Sequence, residues 1–367
     1  MIDVLVAGGG PAGLATAIHA ALAGMEAVVV EPRPGPVDKA CGEGLMPTGA
    51  AALADLGVAV QGGRPFLGIR YVDGLHRVQA EFRDGPGLGV RRTALHTALA
   101  LRARDLGVRV VPGRVEAVRA AGETVRASVT GGPEPCRPEL GGPEHGPELR
   151  GPELRGPELR ARWLVAADGL HSPIRARLGL DLPSGGPRRY GLRRHYRVAP
   201  WTDFVEVHWA PGGEAYVTPV GDDLVGVAVL SSERRPYGEH LARFPDLLAR
   251  LDGPAATPVR GAGPLRQRVR RRVAGRVLLV GDAAGYVDAL TGEGISLALL
   301  SARALVDCLR EGRPEEYETA WRRLSRRSRL LTAALVRARR HPPAARMIVP
   351  AARRLPAVFG AAVRSLA

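Results

Sequence analysis

The sequence predicts an α/β protein with a parallel sheet, an inserted antiparallel sheet and helices at the C-terminal end. Residues 2 to 32 alternate an apolar run, a helical pattern and a second apolar run, which is the order of a βαβ unit. Residues 188 to 232 instead contain short strands separated by turn residues, as in an antiparallel sheet. Residues 315 to 340 have a basic, helical pattern that ends before Pro342-Pro343.

The βαβ unit opens the chain. Residues 2 to 8 (IDVLVAG) predict a buried strand and residues 27 to 32 (AVVVEP) the next one. Between them, residues 11 to 24 predict a helix with Pro11 in its first turn and Gly24 at its end.

The later elements follow from the same patterns. A hairpin is expected at 66 to 82, turning at Asp73-Gly74, and a helix at 91 to 107. Buried strands are expected at 162 to 170 and 276 to 285, and turns at 211 to 213 and 221 to 223.

Residues 131 to 160 form a low-complexity segment. GPELR occurs at 146, 151 and 156, and a proline every five residues disfavours both helix and sheet. We expect a surface loop that plays no part in the chemistry; an interaction linker is the alternative.

Positive charge is concentrated at the C-terminal end. After Glu318 the chain has twelve arginines and no acidic residue, whereas the first 318 residues carry 40 basic and 37 acidic residues. Lys39 is the only lysine, a bias typical of a GC-rich coding background. No nucleic-acid-binding motif accompanies the basic segment, so we expect no nucleic-acid partner.

The sequence indicates a cytoplasmic protein. No basic leader precedes the first apolar run, no stretch is long and apolar enough to span a bilayer, and three cysteines are too few for a disulfide framework. We expect no metal site.

A glycine motif lies between the first strand and the first helix. It comprises Gly8, Gly9, Gly10, Pro11, Ala12 and Gly13, and so satisfies GxGxxG. These glycines allow a tight turn, close approach of a pyrophosphate and close packing of helix on strand. Glu31 ends the next strand, where an acid bonds a ribose hydroxyl, and Arg33 follows it. The pattern predicts a Rossmann-like dinucleotide site; a turn without a ligand is the alternative.

Three further segments, in this order, resemble the p-hydroxybenzoate hydroxylase and geranylgeranyl reductase superfamily of flavoproteins. They are RRTALHTAL at 91 to 99, VAADGLHSPIR at 165 to 175 and VLLVGDAAGYVDALTGEGI at 277 to 295. With the glycine motif they span most of the first 310 residues. The resemblance implies that the dinucleotide is FAD and that NAD(P)H is the reductant.

The resemblance also implies roles for individual residues. Arg92 matches an arginine beside the FAD phosphates, Asp168 and Gly169 match the DG motif near the ribityl chain, and Gly281-Asp282 match the GD motif whose acid bonds the ribityl hydroxyls. Each carboxylate ends an apolar strand, where it needs donors such as sugar hydroxyls. A turn or N-cap aspartate is the alternative.

A helix is expected to begin near Gly294, followed by Ile295. If its N-terminus points at the flavin, its dipole stabilises negative charge on the reduced ring, and Gly292 and Gly294 allow the approach. Simple turn formation is the alternative.

Residues 39 to 44 (KACGEG) resemble the KxCGG segment of geranylgeranyl reductases, with Glu43 where those often carry glycine. Lys39 and Cys41 are candidate catalytic residues, and Cys41 and Gly42 candidate flavin neighbours. A small packing residue is the alternative for Cys41.

Aromatic residues on the substrate strands supply weaker candidates. His195, Tyr196, Trp209 and Tyr216 lie there, and Tyr216 and Trp209 are pocket candidates, Tyr216 also a weak catalytic one. Strand alternation predicts that one of His208 and Trp209 faces inward.

The predicted fold is therefore a Rossmann-like FAD-binding domain of the GR2 type with an inserted antiparallel substrate domain and C-terminal helices. The FAD-binding domain is assigned to 1–61, 90–184 and 265–314, the substrate domain to 62–89 and 185–264, and the basic helical segment to 315–367.

The reaction type is left open between two enzyme classes. The leading hypothesis is an NAD(P)H-dependent flavin monooxygenase that hydroxylates or epoxidises an apolar or aromatic small molecule. GDAAG and TGEGI look more like the reductases, whereas residues 214 to 219 (EAYVTP) keep only the proline of their YxWxFP clamp. The alternative is C=C reduction of an isoprenoid or lipid chain; a halogenase is a smaller possibility.

Two hypotheses of another kind concern the whole protein. The basic helix could make it a peripheral membrane protein, with Leu330, Leu331, Leu335 and Val336 beside arginines. The preferred interpretation is a helix packed on the FAD domain with solvated arginines. A non-catalytic flavin-binding module is the remaining alternative.

Overall fold

The computed structural model describes residues 1–131, 158–186 and 188–366. The expected GPELR loop at 131 to 160 therefore lies, from 132 to 157, outside the described residues. The strands are β1 (Ile2–Ala7), β2 (Ala27–Glu31), β3 (Gly44–Leu45), β4 (Arg64–Phe66), β5 (Gly68–Val72), β6 (Arg77–Glu81), β7 (Gly87–Gly89), β8 (Arg109–Pro112), β9 (Arg114–Ala121), β10 (Thr124–Thr130), β11 (Glu158–Ala166), β12 (Asp181–Leu182), β13 (Tyr190–Tyr196), β14 (Phe204–Ala210), β15 (Gly213–Pro219), β16 (Val225–Ser231), β17 (Arg260–Ala262), β18 (Arg268–Val269), β19 (Val273–Ala274) and β20 (Val277–Leu279). The helices are α1 (Pro11–Leu22), α2 (Pro47–Asp55), α3 (Arg92–Asp105), α4 (Pro173–Arg177), α5 (Tyr237–Leu241), α6 (Pro245–Leu248), α7 (Gly294–Arg310), α8 (Glu316–Arg339), α9 (Pro342–Arg354) and α10 (Pro356–Arg364).

A central sheet has the order β19-β20-β11-β1-β2-β8, and its strands from β20 to β8 are parallel. β1 and β2 are almost fully buried in the main apolar core, where α1 packs against both strands, which explains their continuous apolar sequences. The predicted βαβ opening is confirmed. β9 and β10 add an antiparallel hairpin against β11.

A second, seven-stranded sheet has the order β17-β13-β16-β15-β14-β5-β6. The hairpin predicted at 66 to 82 forms its edge, and the turns predicted after 210 and 219 join β14, β15 and β16. The sheet is antiparallel as predicted except for one pair, since β14 and β5 run parallel. The exception arises because β5 enters the sheet from a distant part of the chain.

Both faces of this second sheet are covered, so the predicted division of His208 and Trp209 into an inward and an outward residue is wrong. Trp209 packs among apolar side chains on one face, whereas His208 contacts the buried Glu206 on the other. His208 is only 6% exposed and Trp209 only 7%. Alternation still puts them on opposite faces, but both faces are interior.

The C-terminal helices cross from one sheet to the other. α8 packs on α7, beside the parallel sheet, as the preferred interpretation of the basic segment expected. α9 and α10 pack instead on β6 of the second sheet, where the rings of Phe359 and Tyr71 lie 4.9 Å apart. The segment thus covers the outer part of the substrate sheet, which the sequence did not indicate.

Candidate functional site

A cleft of about 230 Å³ opens where β1, β2 and β11 end. Loops at the carboxyl ends of parallel strands are where α/β proteins bind ligands. Seven of the predicted site residues line it: Gly8, Gly10, Glu31, Arg33, Lys39, Arg92 and Asp168. Pro11, Ala12 and Gly13 continue from this rim into α1.

At the glycine motif, neighbouring backbone segments lie too close together for a side chain at Gly8 or Gly13. A Cβ on Gly8 would lie 2.5 Å from the carbonyl oxygen of Ala167, and one on Gly13 would lie 1.9 Å from that of Gly8. A Cβ on Gly10 would meet only an Arg92 nitrogen, at 3.8 Å. Gly10 also begins α1, whose N-terminus no side chain caps. The loop therefore leaves room and free donors for an anion.

Glu31 is buried at the end of β2. It accepts hydrogen bonds from the Gly9 amide at 2.7 Å and from Arg33 Nε at 2.7 Å. Although burial raises the pKa of Glu31, the hydrogen bonds from Arg33 and Gly9 outweigh it and lower that pKa. The acid is thus ionised, as acceptance from ribose hydroxyls requires.

α3 supplies the cationic wall. Its first residue, Arg92, directs its guanidinium toward Gly10, and Arg92 Nε is buried with no hydrogen-bond partner among the described residues. His96, one turn later, donates from Nε2 to the Gly9 carbonyl at 3.0 Å. Burial lowers the pKa of His96, so the ring is neutral at physiological pH and holds the glycine loop. His96 was not singled out from the sequence, although it stands within RRTALHTAL.

Lys39 lies at the rim of the cleft, close to Gly169. Desolvation, followed by the charges of Arg33 and Arg92, lowers the pKa of Lys39, while Asp282 opposes the shift. The structure therefore brings the predicted Lys39, Arg92 and Asp282 into one electrostatic neighbourhood.

The two aspartates, Asp168 and Asp282, lie in the loops that follow β11 and β20. Asp168 Oδ2 accepts from the Ile174 amide at 3.1 Å, but Asp168 Oδ1 is buried and has no hydrogen-bond partner in the part of the chain that the structure describes. Burial raises the pKa of Asp168, and likewise that of Asp282, which follows β20 in a 3-10 turn, Gly281–Ala284. A Cβ on Gly281 would lie 2.7 Å from Ala12, so this turn abuts the start of α1.

Arg175, which the sequence analysis missed, ties the two aspartate loops together. It is 2% exposed and donates to the carbonyls of Leu170 and Ala283, each at 3.1 Å. Its Nε bonds Asp181 at 2.6 Å. The only sequence signal was its position at the end of VAADGLHSPIR.

Residues 41 to 43 join the cleft to the second sheet. Burial raises the pKa of the Cys41 thiol, which keeps it protonated at neutral pH, and the Glu43 amide donates to Cys41 Sγ at 3.4 Å. The Gly42 carbonyl accepts from the Thr218 hydroxyl at 2.7 Å. Glu43 Oε1 accepts from the Arg92 amide at 2.8 Å, and Glu43 Oε2 pairs with His195 of β13. His195, a sheet residue in the sequence analysis, thus connects to the cleft.

The approach to α7 contains the remaining predicted residues. Gly292 lies against Met46, Gly294 starts α7 beside the ring of Tyr286, and Ile295 is buried. Burial, followed by the charges of Asp282 and Asp288, raises the pKa of Tyr286 well above its usual range. Tyr286, another residue the sequence analysis missed, thus stays protonated between the Asp282 turn and the helix.

An apolar cluster, named here the apolar compartment, begins at these loops and fills one face of the second sheet. Its members come from the two aspartate loops, the sheet and α10, and include Leu170, Tyr286, Leu290, Tyr71, Trp209, Tyr216 and Phe359. The Tyr216 hydroxyl donates to the Leu290 carbonyl at 2.7 Å. Tyr216 therefore holds the loop before α7, and its hydroxyl is already engaged.

Buried charges border this compartment. Glu214 is fully buried and accepts from Arg189 at 2.8 Å, and Arg189 also bonds Asp288 at 2.9 Å. Arg339, at the end of α8, pairs with Glu214 as well. This cluster attaches the C-terminal helices to the substrate sheet.

The residues present fit an FAD molecule. An uncapped helix start with an unfilled glycine position suits a pyrophosphate, an ionised Glu31 suits a ribose, and the unpartnered oxygen of Asp168 suits a hydroxyl donor. Residues 1–206 match the family model of the FAD binding domain.

The chain belongs to this FAD-binding family.

Relatives agree with the assignment and name reductases. A menaquinone reductase of Mycobacterium tuberculosis is 30% identical over 332 residues, covering 84% of this chain and 76% of the relative. Digeranylgeranylglycerophospholipid reductase 1 of Methanopyrus kandleri is 29% identical over 333 residues, covering 82% and 78%. This FAD-binding family member is an FAD-dependent oxidoreductase of the geranylgeranyl reductase and p-hydroxybenzoate hydroxylase superfamily.

Solved structures agree on the fold. The flavin-dependent brominase Bmp2 superposes with a TM-score of 0.79 at 18% identity, covering all of this chain and 93% of that one. The α/β fold predicted from the sequence, with its inserted sheet and C-terminal helices, is confirmed. Within the three described ranges, no helix combines the length and apolar character needed to cross a membrane.

Proposed function

We propose that this FAD-dependent oxidoreductase reduces C=C bonds of an isoprenoid chain, with NAD(P)H as the reductant. The observation that carries the proposal is the apolar compartment, which runs from the two aspartate loops to α10 without a break. Side chains of this apolar character match a long apolar chain better than a compact polar molecule.

Reductase relatives support this choice over the monooxygenase favoured from the sequence. The names of these reductases refer to a menaquinone and to a geranylgeranyl lipid, both of which carry isoprenoid chains. The matches extend over more than four fifths of this chain, so they include the substrate sheet as well as the FAD-binding residues.

The cofactor would be held by the cleft residues. Gly8, Gly10 and the start of α1 would bind its pyrophosphate with Arg92, Glu31 would bind the adenosine ribose, and Asp168 and Asp282 would bind the ribityl hydroxyls. Bound and reduced, FAD supplies a hydride equivalent.

C=C reduction also needs a proton for the second carbon. Cys41 is suited to deliver it, because burial raises the pKa of its thiol and it sits between the cleft and the second sheet. Tyr286, held protonated by burial, is the second suitable donor. The hydride would add to one carbon and the proton to the other, so the chain would gain two hydrogens and the bound FAD would be left oxidised, to be reduced again by NAD(P)H.

A specific observation favours oxygenation of an aromatic molecule as the second candidate. Tyr71 lies 5.2 Å from Trp209 and 4.9 Å from Phe359, measured between ring centroids. Such a cluster would stack on a flat ring, and its buried setting would exclude water from the reaction.

The mass of the product distinguishes the two candidate reactions, C=C reduction and oxygenation. Holoprotein, NAD(P)H and menaquinone are incubated without oxygen, and the lipid is then exposed to air so that a reduced headgroup returns to the quinone. Reduction of the chain predicts a product that keeps two additional hydrogens after this step. Recovery of the original mass, or a product that forms only in air and carries an added oxygen, contradicts the proposal.

A further inference from the structure

α10 is apolar on two opposite faces. Its inner face, Phe359 and Val363, is buried against the second sheet. Its outer side is exposed although apolar: Val358 is 63% exposed, and Pro356, Ala357 and Ala361 are also exposed. Leu355, the residue just before α10, is 57% exposed. A helix that is apolar all round is normally buried on all sides, so something outside the described residues is expected to cover this face.

Arginines surround the exposed apolar face. Arg353 and Arg354 immediately precede Leu355, and two further residues of α9 are exposed, Arg346 and Met347, the latter by 45%. No acidic residue follows Glu318 in the sequence, so these guanidinium groups have no acidic neighbour within the segment. The surface therefore combines apolar side chains with uncompensated positive charge.

We propose that this surface, formed by Arg346, Met347, Arg353, Arg354, Leu355, Val358 and Ala361 and named here the docking face, binds an anionic lipid bilayer. The apolar residues would enter the boundary between headgroups and acyl chains, and the arginines would pair with lipid phosphates.

Charge favours a bilayer over a second copy of the chain. A dimer built on the docking face would bring two strongly basic segments together, and like charges at an interface are unfavourable. A bilayer with anionic lipids complements both properties of the face at once.

The position of α10 gives the docking a consequence. Its outer face would touch lipid while its inner face covers the apolar compartment through Phe359. The proposed bilayer contact is inferred from the docking face alone, and it does not depend on which reaction the site performs.

Vesicle binding by the full-length holoprotein tests the proposal. It is measured by co-sedimentation with phosphatidylcholine vesicles, with and without phosphatidylglycerol, and needs no substrate. The double variants Leu355→Ser/Val358→Ser and Arg353→Gln/Arg354→Gln alter the docking face. Leu75→Ser and Arg109→Gln, both at exposed positions elsewhere, are the matched controls. Flavin absorbance and melting temperature verify that each variant is folded.

The proposal predicts that the wild type and both controls bind anionic vesicles, and that added salt weakens the binding. Each double variant is expected to bind about tenfold more weakly or worse. Equal binding by all proteins, or binding that does not respond to lipid charge, would overturn it. A change of oligomeric state in Leu355→Ser/Val358→Ser, measured by sedimentation, would instead assign the face to a second copy.

Discussion

The Glu43 carboxylate lies 2.5 Å from the His195 imidazole, with both side chains buried. This pair connects the segment beside the FAD cleft to strand β13 of the substrate sheet. Glu43 reaches it with a φ of 58°, in the left-handed region that side-chain-bearing residues seldom adopt. A strained backbone at a buried carboxylate indicates that the contact is maintained for the site.

Replacing Glu43 should therefore separate the contact from the backbone strain. Glu43→Ala leaves His195 and the Arg92 amide without their acceptor and should lower the free energy of unfolding by about 3 kcal/mol or more. Glu43→Gly loses the same contacts but relieves the positive φ, so it should be about 1 kcal/mol more stable than the alanine variant.

Urea unfolding at saturating FAD measures both, and Glu81→Ala, at an exposed strand end, is the control. If Glu43→Ala were as stable as the control, the Glu43–His195 pair would not contribute to the stability of the protein.

Asp282→Asn should weaken FAD binding. The substitution removes the charge that ribityl hydroxyls would donate to, and a hydrogen bond to a charged group contributes about 1.5–3 kcal/mol, or roughly 10- to 100-fold in Kd. Fluorescence titration of the apoprotein with FAD measures the change. Asp55→Asn, at an exposed position, should bind FAD like the wild type. Equal Kd values for the two variants would remove Asp282 from the cofactor site.

Cys41→Ala should slow C=C reduction without releasing the flavin. Loss of a general acid lowers turnover by about 10²- to 10⁴-fold, whereas the FAD Kd should change little because no cofactor contact is assigned to the thiol. Cys308→Ala is the matched control, since Cys308 is also a free, partly buried cysteine but lies on α7 away from the cleft. Normal turnover by Cys41→Ala would transfer the proton-donor role to Tyr286.

Glu293, at the start of α7, should make stability depend on pH. Burial outweighs the hydrogen bonds with Ser328 and Thr291 and raises the pKa of Glu293 from 4.5 to about 7. The folded protein therefore keeps a proton that the unfolded chain has lost. The resulting stabilisation is complete below pH 4.5 and disappears as the pH rises through 7.

Relative to Glu293→Gln, the free energy of unfolding of the wild type should thus fall by on the order of 2–3 kcal/mol between these pH values. At higher pH the difference between the two proteins should stay constant. Denaturant unfolding across pH 4 to 8 follows the difference. A difference that stays constant with pH would show that Glu293 titrates normally.

The sequence predicted most of the cofactor side of the molecule because its motifs are local. Gly8 to Gly13, Asp168 and Asp282 each stand at the end of an apolar strand, and parallel strands bring such ends together. The same logic could not find Arg175 or His96, since their partners are backbone carbonyls of loops distant in the sequence.

The substrate side depended on long-range packing and was predicted less well. The pairing of Glu43 with His195 spans 152 residues, and no local pattern marks either partner. Strand alternation assigned His208 and Trp209 to opposite faces correctly, but it could not reveal that α9 and α10 cover one of those faces. One face of that sheet is buried by the C-terminal helices, whose basic sequence had indicated packing on the FAD-binding domain with solvated arginines, or a membrane contact, but no contact with the substrate sheet.

The most direct test of C=C reduction uses a polyprenyl alcohol, whose double bonds are its only acceptors. Holoprotein is reduced without oxygen, mixed with the alcohol, and followed by the visible absorbance of the flavin. The account predicts that oxidised flavin returns with the unsaturated alcohol and not with its saturated analogue. Flavin that stays reduced with both compounds until air is admitted would contradict it.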